Sequence, residues 1–118
     1  MRRLCSLLCT IAAIPAAAST VSTGNLSVDV ALPAKKVHEE CTRMEAGESR
    51  RWHWKSNAPV DFNIHYHRGE EVFYPVKRDG MRGDGGTFVA KTGEDYCWMW
   101  TARDKTARIE GGIDLKWR

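Results

Sequence analysis

From Lys36 onward, hydrophobic and polar residues alternate in short runs separated by turn formers, and no stretch keeps the spacing of an amphipathic helix. The runs 38–44 (HEECTRM), 50–56 (RRWHWKS), 60–67 (VDFNIHYH), 71–76 (EVFYPV), 86–90 (GTFVA), 95–101 (DYCWMWT) and 107–117 (ARIEGGIDLKW) read as strands. Upstream, the alternation in LSVDV (26–30) ahead of Pro33 marks a further candidate edge strand. The breaks fall at Glu45-Ala46-Gly47, Asn57-Ala58-Pro59, Arg68-Gly69, Asp79 to Gly85 and Thr92-Gly93. RDGMRGDGG (78–86) reads as an exposed hairpin loop, since its two aspartates lack the alternating oxygen ligands of a calcium loop. Seven or eight short strands without crossover helices predict an all-β fold, an antiparallel β-sandwich.

The same alternation assigns faces. Phe62, Ile64 and Tyr66 point one way, and Asp61, Asn63, His65 and His67 the other. Trp52 and Trp54 share a face, as do Tyr96, Trp98 and Trp100. The 95–101 run is apolar on both sides, which predicts a central strand. The five tryptophans read as the large apolar area that a small core needs, rather than as a sugar-binding platform.

The first residues change the picture of the bulk composition. Arg2 and Arg3, an apolar stretch from Leu4 to Ile14, and Ala16-Ala17-Ala18 have the form of a cleaved secretory signal, residues 1–18. A flexible segment (19–35) would follow, then one domain (36–118). Without Arg2 and Arg3 the basic side chains fall from 18 to sixteen against 15 acidic ones. That near-neutral, interspersed surface gives no footprint for nucleic acid, and no second apolar segment offers a membrane anchor. The mature chain is expected to be a periplasmic or secreted monomer. Cys5 and Cys9 leave with the signal; Cys41 and Cys97 remain, and in an oxidising compartment they most simply form one disulfide.

The order of EECTRMEAGE around Cys41, the strand PVDFNIHYHRG, and GGTFVAKTGEDYCWMW closing on Cys97 resembles the GOLD domain, the lumenal β-sandwich of the emp24/p24 cargo-receptor family. It is also similar to small secreted bacterial proteins that share the pattern. The resemblance covers about residues 36 to 117 and implies a GOLD-like or jelly-roll sandwich with a bridged Cys41–Cys97 pair. Trp98, Met99 and Trp100 stand where the family usually has an aromatic, a small residue and Asn. The receptors' coiled coil and membrane anchor have no counterpart, so the resemblance does not imply cargo trafficking.

His65 and His67 lie two apart on one strand face, about 6.5–7 Å apart at Cβ, a spacing from which two imidazoles can converge on one ion. Glu71 beyond the Gly69 turn, or Glu70, and His53 on the neighbouring run are the candidates to complete a Cu or Zn shell. His65, His67 and Glu71 also resemble the first cupin motif, though its leading glycine and its second motif are missing. The competing reading makes Asp61, Asn63, His65 and His67 a solvated strand face. No catalytic residues are expected: no serine of the mature part, among them Ser49 and Ser56, sits in a nucleophile context. The favoured expectation is a non-catalytic binding or interaction module for a protein or small ligand, without a cofactor. A divalent-metal binding protein is the alternative, and a cupin-type metalloenzyme ranks last.

Overall fold

The computed structural model describes residues 25–117; the signal-like segment 1–18 lies outside the described residues. Six strands form one antiparallel sheet: β1 (Leu26–Leu32), β2 (Val37–Met44), β3 (Ser49–Arg68), β4 (Glu71–Val89), β5 (Glu94–Ala102) and β6 (Ala107–Trp117). The order is β1-β6-β3-β5-β2, with β4 on the other edge of β3. As predicted, β5 is central. The edge strand expected at 26–30 pairs with β6 from Leu26↔Ile113 to Leu32↔Ala107, so the domain begins ahead of residue 36.

The sheet folds into a sandwich because β6 and β5 share one edge of β3 in succession. β6 takes Ser49 to Ser56, and β5 takes Val60 to His65. Between them, at Asn57-Ala58-Pro59, the register shifts, and Pro59 offers no N–H to a ladder. The bend is visible in the packing. Trp54 and Phe62 are eight residues apart, about 26 Å along a straight strand, yet their ring centroids are 5.5 Å apart. β4 bends with its partner: Arg78 Nη1 donates to Asp84 Oδ1 at 2.6 Å across six residues of the same strand.

Two expectations are corrected. Eight runs collapse into six strands, because 50–56 and 60–67 are halves of β3, and 71–76 and 86–90 are halves of β4. The 78–86 segment is therefore not a hairpin loop but the middle of β4. Its glycines have a packing reason. Gly86 lies opposite Trp52, and a Cβ there would meet the indole Cη2 at 2.8 Å. On the other edge of β3, Gly111 faces Trp54, where a Cβ would lie 2.2 Å from the His53 carbonyl oxygen. Glycine inside a strand marks such close approach as readily as it marks a turn.

Even-numbered positions of β3 point inward as far as Tyr66. Trp52, Trp54, Val60, Phe62 and Ile64 meet Met44, Phe88, Tyr96, Trp98, Trp100, Ile109 and Ile113 in the core. Trp52, Trp54, Trp98 and Trp100 are thus core residues, as expected. Their indole N–H groups meet no hydrogen-bond acceptor of the described protein. They serve as bulk, at a polar cost of about 1–3 kcal/mol each that burial must offset. Cys41 and Cys97 sit directly opposite each other on β2 and β5 and form a disulfide.

Candidate functional site

The outer face of β3, β5 and β2 carries the predicted histidines. His65 stands opposite Cys97 on β5, which stands opposite Cys41 on β2. His65 is not on a solvated face: it is 4% exposed and Asn63 8%, while His67 is exposed. Burial comes from neighbours reaching across the pleat. Glu39 of β2 places Oε1 3.0 Å from His65 Nε2. Asn63 Oδ1 lies 2.7 Å from His65 Nδ1. The rings of His67 and Tyr74 close the remaining sides at 5.1 and 5.8 Å.

Of the predicted metal set, the rings of His65 and His67 lie side by side, but His53 and Glu71 do not join them in one ligand cluster. His53 lies on the half of β3 that pairs with β6, and His65 on the half that pairs with β5, across the bend at Asn57-Ala58-Pro59. His53 pairs with Gly85 and Gly112 and borders a shallow depression with Asp29, Lys55 and Glu110. Glu71 pairs with Arg68 at the hairpin end and is exposed, as is Glu70. Among the described residues, the group whose ligand atoms lie within 4.8 Å of one another is Glu39, His65 and Cys97, without His67, His53 or Glu71. In that group the Cys97 sulfur is already bonded to Cys41. Glu39 escaped the sequence reading because its proximity arises from β2 lying two strands away.

Burial holds the His65 pKa below the ordinary value of 6.5, aided by the neighbouring His67 and opposed by Glu39. Folding therefore leaves the native state with fewer bound protons than the unfolded chain just below that value. Stability rises with pH through this window and falls as pH drops below about 6.5. The melting temperature is expected to be lower at pH 5 than at pH 7.5, with the difference reduced in His65→Gln. Thermal melts of both proteins across that range check it; an undiminished slope in the variant assigns the effect to other groups.

A second feature, missed in the sequence, lies where the β3–β4 hairpin meets the turn between β4 and β5. A groove of about 540 Å³ is walled by Tyr66, Phe73, Tyr74, Phe88 and Tyr96, with Arg68, Lys91 and Thr92 at its rim. Tyr66 stacks on Phe73 at 5.1 Å, and Tyr96 meets the edges of Tyr66 at 5.2 Å and Phe88 at 5.0 Å. The Arg68 guanidinium lies 5.5 Å from the Tyr66 ring centre and 5.7 Å from that of Phe73, and its Nε donates to Glu94 Oε1 at 2.8 Å. The Tyr96 hydroxyl donates to the Thr92 carbonyl oxygen at 2.7 Å. Tyr74 (48% exposed) and Val89 (55%) present apolar surface to solvent. The signal was one aromatic on each side of Arg68-Gly69, Tyr66 and Phe73, which the hairpin register brings side by side.

No family model and no curated protein matches the chain. Solved structures do. PliG, a periplasmic inhibitor of g-type lysozyme from Aeromonas hydrophila, is similar over 78% of this chain and 86% of its own, with a TM-score of 0.55 and 9% identity. The pre-peptidase C-terminal domain of a Bacillus anthracis collagenase is similar over 75% of this chain and 88% of its own (TM-score 0.57, 11% identity). The Yersinia pseudotuberculosis-derived mitogen matches over 80% and 87% (TM-score 0.51, 10% identity). At these identities the likeness speaks for the fold alone.

Proposed function

We propose that this chain is a secreted or periplasmic binding module, without catalysis, that recognises a protein partner through the aromatic groove beside the β3–β4 hairpin. The observation that carries the reading is the groove itself. Stacked rings already fixed by Arg68, Glu94 and Thr92 cost little ordering on binding, and Tyr with Arg is the composition of interface hot spots. Lys91 at the rim, and Lys77 5.6 Å from the Tyr74 ring centre, favour a partner segment that pairs an apolar anchor with a carboxylate. The extracytoplasmic location is supported by the signal-like first 18 residues and by the disulfide. PliG, a periplasmic inhibitor of a protein, supports the use of this fold for protein recognition. The GOLD-like assignment is supported by the order of the Cys41, His65 and Cys97 segments, and it adds no partner.

Tyr74→Ala/Val89→Asp changes only exposed groove positions and leaves the core intact. A partner isolated from periplasmic extract on the mature protein is expected to bind this variant at least 30-fold more weakly, the loss of one aromatic hot spot of about 2 kcal/mol. Titration calorimetry measures it, with His67→Ala on the outer face as a control of unchanged affinity. Equal binding by the groove variant would remove the groove from the function.

A further inference from the structure

Glu39, Cys41, His65 and Cys97 gather on three adjacent strands. We propose that they form a redox-gated zinc site: when the disulfide is reduced, the two thiolates, His65 Nε2 and the Glu39 carboxylate hold one Zn²⁺.

The ladder already aligns most of this set. Cys41, Cys97 and His65 occupy one rung across β2, β5 and β3, and Glu39 lies two residues from Cys41 on the same face. Ligand atoms of Glu39, His65 and Cys97 are within 4.8 Å of one another. Zinc bonded at about 2.0–2.3 Å requires ligands about 3.3–3.8 Å apart, a distance side-chain rotation covers without moving the sheet. Two cysteines, one imidazole and one carboxylate are a four-ligand set suited to this ion.

The arrangement around His65 already orients the ring as a ligand. His65 Nδ1 lies 2.7 Å from the Asn63 amide oxygen, and Nε2 lies 3.0 Å from Glu39 Oε1, so both ring nitrogens already have a polar partner. A proton on Nε2 bridges the ring and the carboxylate at this distance, and Zn²⁺ would take that proton's place between the same two ligands. Asn63 then does what a metal-bound histidine requires of its second partner: it fixes the tautomer and the ring plane.

Opening the site consumes one external dithiol. Its thiolate attacks the sulfur of exposed Cys41 rather than that of buried Cys97, and Cys97 leaves as a thiolate. The second thiol of the reductant then displaces Cys41, so the reductant departs as a disulfide and two electrons reside on two protein thiols. Zn²⁺ replaces the two thiol protons, which pass to solvent. Thiol–disulfide exchange with an external disulfide, which takes the two electrons and leaves as a dithiol, would restore the bridge and release the ion. The same pair of cysteines therefore makes either a covalent staple or half of a metal shell.

The test uses mature protein, oxidised or reduced anaerobically with a water-soluble phosphine, titrated with Zn²⁺ against a chromogenic chelator. The reduced protein is expected to take up one Zn²⁺ per chain at least about 100-fold more tightly than the oxidised protein, because only thiolates ligate. Asn63→Ala is expected to weaken it by about 10–100-fold, the usual effect of removing a partner that orients a ligand. His65→Ala should weaken it at least as much. Co²⁺ in place of zinc should give thiolate charge-transfer and tetrahedral absorption bands in the reduced protein alone. Uptake equal in both redox states, or insensitive to His65→Ala, overturns the proposal. If reduction unfolds the domain, recovery of the sheet circular dichroism on adding zinc supports the site, and a chain that stays unfolded with zinc overturns it.

Discussion

Cys41→Ala/Cys97→Ala is expected to lower the unfolding free energy of the mature protein by about 4 kcal/mol. The disulfide joins residues 56 apart in sequence, and closing a loop of that length restricts the unfolded chain by this amount in the chain-entropy model. The loop contains all of β3 and β4, so the bridge constrains the two longest strands. It also ties β2, an edge strand that among the described residues has its ladder with β5 alone, to the interior strand β5. At roughly 4–8 °C per kcal/mol for a domain of this size, the melting temperature should fall by about 15–30 °C. Urea unfolding of the mature protein and the double variant measures both quantities. A loss below about 1 kcal/mol would mean that the bridge does not act as the domain's staple.

Phe62→Ala carries the second large effect, a destabilisation of about 4 kcal/mol, within the range for truncating a buried aromatic. Phe62 is fully buried, and its ring joins the two layers. It lies 6.1 Å from Trp52 and 5.5 Å from Trp54 on the first half of β3, and 5.5 Å from Trp100 on β5. Truncation would leave a void at the bend of β3, where the backbone is pinned by ladders on both edges and collapses poorly. Loss of tertiary circular dichroism from the tryptophans at a lower denaturant concentration should accompany it. Val37→Ala, at an exposed position of β2, should stay within about 0.5 kcal/mol of the parent. A Phe62 variant as stable as that control would show that the layers do not depend on this contact.

The pattern of side chains carried the fold a long way. Period-two alternation separated the inward tryptophans and Phe62 from the outward Asp61, Asn63, His65 and His67, because a strand offers its residues only two directions. The count of strands was less accessible. A break such as Asn57-Ala58-Pro59 looks the same in sequence whether the chain reverses there or only bends. Glycines 83, 85 and 86 look like a loop until Trp52 and Trp54 are seen lying against them.

The site divided along the same line. That His65 and His67 share a face, and that Cys41 and Cys97 pair, followed from local spacing and from counting the thiols that follow the signal-like segment. Which residues stand beside them did not. Glu39 reaches His65 because β2 and β3 flank β5, and Tyr66, Phe73, Phe88 and Tyr96 form a groove because a hairpin and a distant turn meet. Alternation along a strand is a local property, set by backbone geometry, and the sequence alone determined it. Neighbours across strands depend on strand order and register, which the packing of the whole core selects, so only the tertiary structure decided them.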